Sequence, residues 1–350
     1  MSPRPSVLHV TESFASGVAD AIESFARGLP DYDHHLLYAT RSEAPADPSK
    51  LSAFAEAFEM TAGHGARMSQ LSQVADRLGV DLIHAHSSIA GAYARLSGRR
   101  TPRPVVYSPH CYAFERRDLG WVQRGGFAAA ERLLAGRTAA VAACSERERQ
   151  LTTRLSRRTV TDVVPNIARA AHGRARNSTS SRRVITAGGR IGPQKDPGLF
   201  IDVANAIRAV HPEVEFVWIG GGDARFEQRL LASRITVTGW LSKSESMGEL
   251  ARSSLYVHTA AWEGFPIAIL EALQLNVPVA VSRRPYSIGM PEQARFSSAG
   301  DVLRLLARLS DSTARKAFMD EWKGATRANT ADVQTERLRR LYASALEQVR

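Results

Sequence analysis

Residues 255–281 read LYVHTAAWEGFPIAILEALQLNVPVAV. An apolar run at 255–258 gives way to a short loop. A helical pattern begins near Pro266, and a second apolar run follows at 277–281. Proline is favoured in the first turn of a helix, where its missing N–H would have no partner anyway. Two strands separated by one helix length pair in parallel, because parallel strands need a crossover connection. Both runs are apolar throughout, as expected for a sheet covered on its two faces.

The same alternation extends outward. Strand patterns fall at 184–187, 215–219 and 235–238, with helical patterns at 197–210, 224–231 and 245–252. Residues 166–182 interrupt it with Arg, Ser and Ala and no apolar period, as an interdomain linker does. Earlier strands are read at 7–10, 35–39, 81–84, 105–108, 139–143 and 161–164. Helices are read at 18–27, 68–78, 125–134 and 146–155. The tail from 299 is helical, with a stripe of Leu338, Leu341 and Leu346. A chain of 350 residues exceeds the roughly 250–300 that one core serves. The expected fold is α/β, with two Rossmann-like, doubly wound parallel-sheet domains facing across a cleft. The expected divisions are an N-terminal domain over 1–165, a basic linker over 166–182 and a C-terminal domain over 183–330. A final helix over 331–350 is read as packing back on the first domain. Such sheets bind ligands outside the carboxyl ends of their strands, so the loops after strands are the informative ones.

Two of those loops carry chemistry. Residues 187–197 read AGGRIGPQKDP. Glycines let the backbone approach an anion. Arg190 can grip phosphate through a planar fork, and Lys195 adds a mobile point charge. The pair suits a diphosphate, although the Walker P-loop spacing is absent. A surface turn with two cations is the plainer alternative. In the second loop, the helix start at Gly264–Pro266 offers free N–H groups reinforced by the helix dipole. Glu263 precedes the helix and Glu271 lies within it, ~12 Å away along a helical rise of 1.5 Å per residue. That matches a sugar–diphosphate–ribose unit, with one carboxylate for sugar hydroxyls and the other for ribose. A helix with one exposed glutamate is the alternative there.

The segment around Glu263 and Glu271 resembles the E-x7-E element of the family-4 retaining glycosyltransferases, which have the GT-B fold. The stretch GRIGPQKD resembles that family's diphosphate-binding arginine and lysine. Residues 218–223, WIGGGD, resemble its glycine loop, and 237–241, VTGWL, the segment whose backbone lines the base pocket. All four occur in the family's order. In the N-terminal half, 10–18 resembles the first-strand loop, with Ser16 where the family usually has the first of two glycines. His86 and His110 match two strand-end histidines. The resemblance puts His110 near the reacting sugar, while a satisfied core histidine is the other reading and the preferred one for His86. Glycine is also usual where Asn276 stands, and 282–292 follows the family's pattern only loosely.

The resemblance implies sugar transfer from a nucleoside-diphosphate sugar to a polysaccharide, glycolipid or lipid-linked glycan precursor, with retention of configuration. It implies catalytic roles for His110, Arg190, Lys195 and Glu263. It implies donor binding by Gly17, Gly189, Gly221, Leu241, Gly264, Phe265, Pro266, Ile267 and Glu271. No metal and no cofactor beyond the donor substrate are expected. A nucleotide-sugar epimerase of the same fold and a non-catalytic partner subunit stand as alternatives.

The net charge of +11 is uneven. Arg169, Arg174, Arg176, Arg182 and Arg183 cluster in 166–183, and Arg95, Arg99, Arg100 and Arg103 in 95–103. These patches suit phosphates or anionic lipid heads, or are solvated surface. No nucleic-acid docking motif accompanies them, so nucleic acid is not an expected partner. Residues 111–134 interleave Phe114, Trp121 and Phe127 with Arg116, Arg117 and Arg124. The segment reads first as a core-facing helix with its arginines in water, and second as a peripheral contact with an anionic membrane. Two cysteines give no disulfide framework. No signal-peptide pattern and no run of ~18 apolar residues is seen. The expected localisation is cytoplasmic, with the inner membrane face as the variant. The D-x-D triplet Asp31-Tyr32-Asp33 is read as turn chemistry.

Overall fold

A computed structural model describes residues 4–40, 47–97, 103–168 and 183–348. The chain forms two compact units, Met1–Ile167 with Ala328–Arg350, and Ala168–Arg327. The linker expected over 166–182 lies outside the described residues from 169 on, as do Arg99 and Arg100.

In the first unit, seven strands form one sheet: β1 (Ser6–Thr11), β2 (Asp33–Tyr38), β3 (Glu56–Glu59), β4 (Leu82–His86), β5 (Val105–Ser108), β6 (Ala140–Ala143) and β7 (Val160–Val163). Their spatial order is β3-β2-β1-β4-β5-β6-β7, and all pairs are parallel. The order reverses between β1 and β4, which makes that the switch point where such sheets place ligands. Thr11 pairs with His86 and His86 with Ser108, so the loops after β1, β4 and β5 are neighbours.

The final helix, Ala331–Glu347, belongs to this unit. Leu338, Leu341, Tyr342 and Ala345 are buried against Val7, Phe25, Leu82 and Val106. The Tyr342 hydroxyl and His84 Nδ1 are 2.7 Å apart. Gln334 donates to the Pro165 carbonyl at 2.8 Å. Arg339 donates to Asp31 at 2.8 Å, so the D-x-D turn anchors a helix.

The second unit carries β8 (Val184–Gly188), β9 (Glu215–Ile219), β10 (Thr236–Val237), β11 (Leu255–His258), β12 (Val279–Ser282) and β13 (Arg295–Phe296). The order is β10-β9-β8-β11-β12-β13, again all parallel. Its switch point lies between β8 and β11. Trp218 and Trp322 fill the core, and each buried indole N–H finds a carbonyl, Gly189 at 2.9 Å and Val279 at 3.1 Å.

The structure departs from expectation in three places. Strand β3 is a mostly exposed edge strand of Glu-Ala-Phe-Glu, too polar to announce itself. The helix Ser88–Ser97 went unread; it follows β4 after the single residue Ser87. The helix Trp121–Leu134 does not face a core. Trp121 is 84% and Leu133 81% exposed, and Glu131 is its one buried residue. Its inward contact is polar, because Glu131 accepts from Arg95 at 2.8 Å and from the Tyr107 hydroxyl at 3.0 Å. Arg95 is thus a buried, paired cation and not part of a solvated patch.

Leu338→Ala removes a fully buried side chain and should lower the unfolding free energy by about 2–5 kcal/mol. Urea denaturation checks this, and a loss below about 1 kcal/mol would show that the final helix is dispensable to the core.

Candidate functional site

The second unit supplies a site at its switch point. β8 runs into Gly189, whose φ is +114°. A Cβ there would meet Lys195 Cε at 2.6 Å, so glycine lets the lysine stem fold back over the strand end. The loop then lies backbone to backbone on residues 219–223. The Ile191 N–H donates to Gly221 O at 2.9 Å, and the Asp223 N–H to Ile191 O at 3.0 Å. A Cβ on Gly220 would stand 2.5 Å from Gly189 O, which excludes any larger residue from the glycine loop at that point. The Trp240 indole lies over Gly221, 3.2 Å from where its Cβ would be.

The loops after β8 and β11 are tied together. The Ala261 N–H donates to Gln194 O at 2.8 Å. The Thr259 hydroxyl donates to Lys195 O at 2.6 Å, and Gln194 donates to Trp262 O at 3.3 Å. Asp196, at φ +49°, caps the helix Pro197–Arg208 by accepting from the Leu199 N–H at 3.2 Å. This frame sets the Lys195 ammonium on the Glu263 carboxylate as an ion pair. The side chains are only 19% and 12% exposed, so little water competes for either charge. Behind them His258 is buried, with Nε2 at 3.9 Å from the same carboxylate oxygen. Burial, and then the neighbouring Lys195 charge, hold His258 well below its ordinary pKa.

Gly264, Pro266 and Ile267 are buried, and Phe265 is half-buried against the core. The helix Ile267–Gln274 opens behind Pro266 with no side-chain cap. One turn further on, Glu271 pairs with Lys243 at the start of the helix Lys243–Ala251. Arg190 is exposed and Leu241 half-buried. The structure therefore gathers Gly189, Lys195, Glu263 and the helix start, and sets Gly221 beside that loop. It gives Glu271 a separate basic partner. Lys243 escaped the sequence reading, while Asp196 and Trp240 stood inside two of its motifs without a role of their own.

In the first unit, Gly17 is exposed at the start of the helix Ser16–Gly28. Ser16 sits at φ +49° and Asn276, in the second unit, at φ +57°. These left-handed conformations cost a residue with a side chain about 1–2 kcal/mol. At both positions the backbone shape that glycine favours is present without the glycine.

His110 and Cys111 are left-handed in succession, at φ +52° and +92°. Glu148 pins that turn. Its buried carboxylate accepts from the Cys111 N–H at 2.6 Å and the Cys144 N–H at 2.8 Å. Burial raises the Glu148 pKa, and the two N–H groups oppose that rise. His110 Nε2 lies 3.0 Å from His86 Nδ1, His86 Nε2 3.0 Å from His9 Nδ1, and His9 Nε2 3.0 Å from His34 Nδ1. His34 Nε2 reaches the Leu29 carbonyl at 3.0 Å. His84 stands beside His86, with ring centroids 4.1 Å apart, bonded to Tyr342 and Ser108. Ring nitrogens of His9, His84 and His86 lie within 4.8 Å of one another, and hydrogen bonds already engage them. Burial is the main cause lowering the pKa of all five histidines, and it sets His110 at about 4. His9 was missed because it looks like an isolated polar break in a strand, and His34 because it falls in the polar stretch before the strand read at 35–39.

Two family models divide the chain, a glycosyl transferase 4-like domain over residues 16–167 and glycosyl transferases group 1 over residues 170–293. An Escherichia coli protein named UDP-Gal:alpha-D-GlcNAc-diphosphoundecaprenol alpha-1,3-galactosyltransferase is 27% identical over 234 residues, 58% of this chain and 57% of that one. The match thus spans little more than half of that relative. A Klebsiella pneumoniae protein described as an uncharacterized 41.2 kDa protein in the cps region is 23% identical, across 78% of this chain and 79% of that one. Sucrose-phosphate synthase from Thermosynechococcus elongatus superposes with a TM-score of 0.78 at 14% identity, over 98% of this chain and 100% of the other. Anabaena HepE in complex with UDP-glucose gives 0.74 at 15% identity, over 97% and 99%.

The neutral histidines set a pH dependence. Each has a folded pKa below the ordinary histidine value of 6.5. Below that pH the unfolded chain binds more protons, so stability is full above about 6.5 and falls as the pH drops. Each histidine that only the unfolded state protonates contributes a slope of about 1.4 kcal/mol per pH unit. Glu148, with its raised pKa, works in the opposite sense. Urea unfolding at stepped pH between about 7.5 and 5.5 should show the decline, and a flat profile would contradict a neutral cluster.

Proposed function

The chain belongs to the family-4 glycosyltransferases of the GT-B fold, and from that premise we propose that it moves a sugar from a uridine-diphosphate carrier to a lipid-linked or polysaccharide acceptor with retention of anomeric configuration. The observation that carries this reading is the sequestered Lys195–Glu263 pair, held where the loops after β8 and β11 meet. A diphosphate brings more negative charge than one carboxylate. On arrival it takes the Lys195 ammonium and releases Glu263 to the hydroxyls of the donor sugar. Arg190 and the open N–H groups at the start of the helix Ile267–Gln274 add positive charge where the leaving diphosphate gathers negative charge. Fixed charges aimed at that point supply the largest share of the rate in such reactions. Here they take the role a metal ion would otherwise fill.

Glu271 exchanges Lys243 for the ribose hydroxyls. Gly189 and Gly221 allow close approach of the donor backbone, and Leu241 flanks the base. Phe265, Pro266 and Ile267 shape the helix start around Gly264. On the acceptor side, Gly17 and His110 stand at the carboxyl ends of β1 and β5. The Escherichia coli UDP-Gal transferase and the Anabaena complex with UDP-glucose support uridine diphosphate. The former also supports a lipid-linked acceptor.

The proposed place of work is the cytoplasmic membrane face. Among the described residues no helix is long and apolar enough to cross a membrane. The helix Trp121–Leu134 instead offers Trp121, Val122 at 63% exposure and Leu133 to its surroundings, flanked by exposed Arg117, Arg124 and Arg132. Val122 and Leu133 are about three turns apart and share a face. Apolar side chains among arginines suit insertion beneath anionic head groups.

Lys195→Ala should keep the fold and lose turnover by about 10²-fold or more, measured as UDP release from a UDP-sugar with acceptor. Wild-type turnover in that variant would remove Lys195 from the mechanism. In a thermal-shift series of UDP, GDP, ADP and CMP, UDP should raise the melting temperature most. Silence across the series would favour a non-catalytic subunit, and donor conversion without acceptor an epimerase. The protein should co-sediment with phosphatidylglycerol vesicles, and the Trp121→Ser, Leu133→Ser double variant should stay in the supernatant. Failure of the unaltered protein to bind those vesicles would end the membrane reading.

A further inference from the structure

We propose that His34, His9 and His86 are positioning residues that lock His110 in its Nε2–H tautomer, leaving Nδ1 as a bare acceptor for a substrate hydroxyl. The argument starts at the closed end of the chain. The Leu29 carbonyl only accepts hydrogen bonds, so His34 Nε2, 3.0 Å away, carries a hydrogen. A neutral imidazole has one N–H. His34 Nδ1 must therefore accept, and His9 Nε2–H donates to it. His9 Nδ1 then accepts from His86 Nε2–H. His86 Nδ1 accepts from His110 Nε2–H. Each of the four rings spends its one hydrogen on one of the four bonds, and the ring nitrogen left over is His110 Nδ1.

The reverse polarity fails at the closed end, because it turns a lone pair of His34 onto a carbonyl oxygen at 3.0 Å. An unpaired buried acceptor of that kind costs about 1–3 kcal/mol. Charging His34, His9 or His86 would force two N–H groups to face each other or reverse every bond between that ring and His110, and burial holds the terminal His110 neutral by lowering its pKa to about 4. The side groups agree with neutrality. His84 does not branch into the chain, because Ser108 Oγ donates to Ala142 O at 3.0 Å and so accepts from His84 Nε2–H. That leaves His84 Nδ1 to accept from the Tyr342 hydroxyl. Asp31 and Asp33 act on His34 in the opposite sense to burial, and His35 acts with it, but burial outweighs them. Burial likewise keeps His9 and His86 neutral. At the open end, His110 is partly exposed, on a turn pinned through Cys111 by Glu148.

The consequence rests on the reading that His110 stands near the reacting sugar. A bare Nδ1 accepts from a hydroxyl and repels a carbonyl or phosphoryl oxygen. His110 would therefore select a sugar hydroxyl in one orientation, with its preference set more than 70 residues away in sequence, at Leu29 and His34.

The test needs no substrate and is separate from the transferase reading. Full-length protein labelled with ¹⁵N-histidine, studied by long-range ¹H–¹⁵N correlation, should show His9, His34, His86 and His110 as neutral Nε2–H tautomers at neutral pH. His110 as Nδ1–H, any of the four as imidazolium, or a stoichiometric metal bound by His9 and His86 would overturn the proposal. His34→Phe removes the anchor. His110 should then become a mixture of tautomers, with kcat down about five- to tenfold and KM for the UDP-sugar unchanged. A folded His34→Phe protein with His110 still purely Nε2–H would also overturn it. Should that variant fail to fold, the spectra of the unaltered protein decide.

Discussion

Everything in the second unit depends on a tie between two loops that follow adjacent parallel strands. β8 and β11 lie side by side because the strand order reverses between them. Their loops leave the sheet at the same edge and are joined by one backbone hydrogen bond, a threonine hydroxyl and a side-chain amide. That tie brings a lysine and a glutamate 68 residues apart into contact. Both charges are largely withdrawn from water, where an ion pair interacts more strongly and an unpaired charge is costly. In the proposed function that resting pair is the placeholder for a more highly charged ligand. The glycines serve the same end, since Gly189 and Gly220 clear space that a Cβ would fill.

The first unit solves a different problem at its own switch point. Five histidines cross the sheet from the loop after β5 to the amino end of β2, and their hydrogen bonds run to one another and to a carbonyl, a tyrosine and a serine. Buried polar groups must be satisfied, and here imidazoles satisfy one another, ending on a carbonyl, a tyrosine and a serine. A network of this kind is directional, because each ring has one hydrogen to give. Glu148 adds a second constraint by holding two backbone N–H groups under the left-handed turn at His110 and Cys111. The final helix closes the arrangement from behind through Tyr342. The histidine cluster and the chain terminus are thus parts of one core.

The helix Trp121–Leu134 shows how an amphipathic pattern can mislead. Its apolar residues suggested a core, yet its inward face is the Glu131–Arg95–Tyr107 group. Arg95 also lies over the Tyr107 ring at 4.2 Å. That buried polar contact uses the face toward the sheet and leaves Trp121 and Leu133 outside. Composition could not reveal this, because the arginine and glutamate that decide it are 36 residues apart.

Alternating apolar runs, the break after residue 165, the glycine loops and the proline-opened helix were all readable in sequence, because each follows from local periodicity or local backbone geometry. Local rules also explain why glycine was expected at Ser16 and Asn276, since both hold the left-handed backbone that glycine favours. The edge strand β3 was invisible because its four residues carry no apolar run. Tertiary structure alone decided that Lys195 meets Glu263, that Glu271 meets Lys243, and that His34, His9, His86 and His110 align. The physical reason is strand order. Parallel crossovers set residues far apart in the chain side by side at one sheet edge, and no local pattern records which ones will meet.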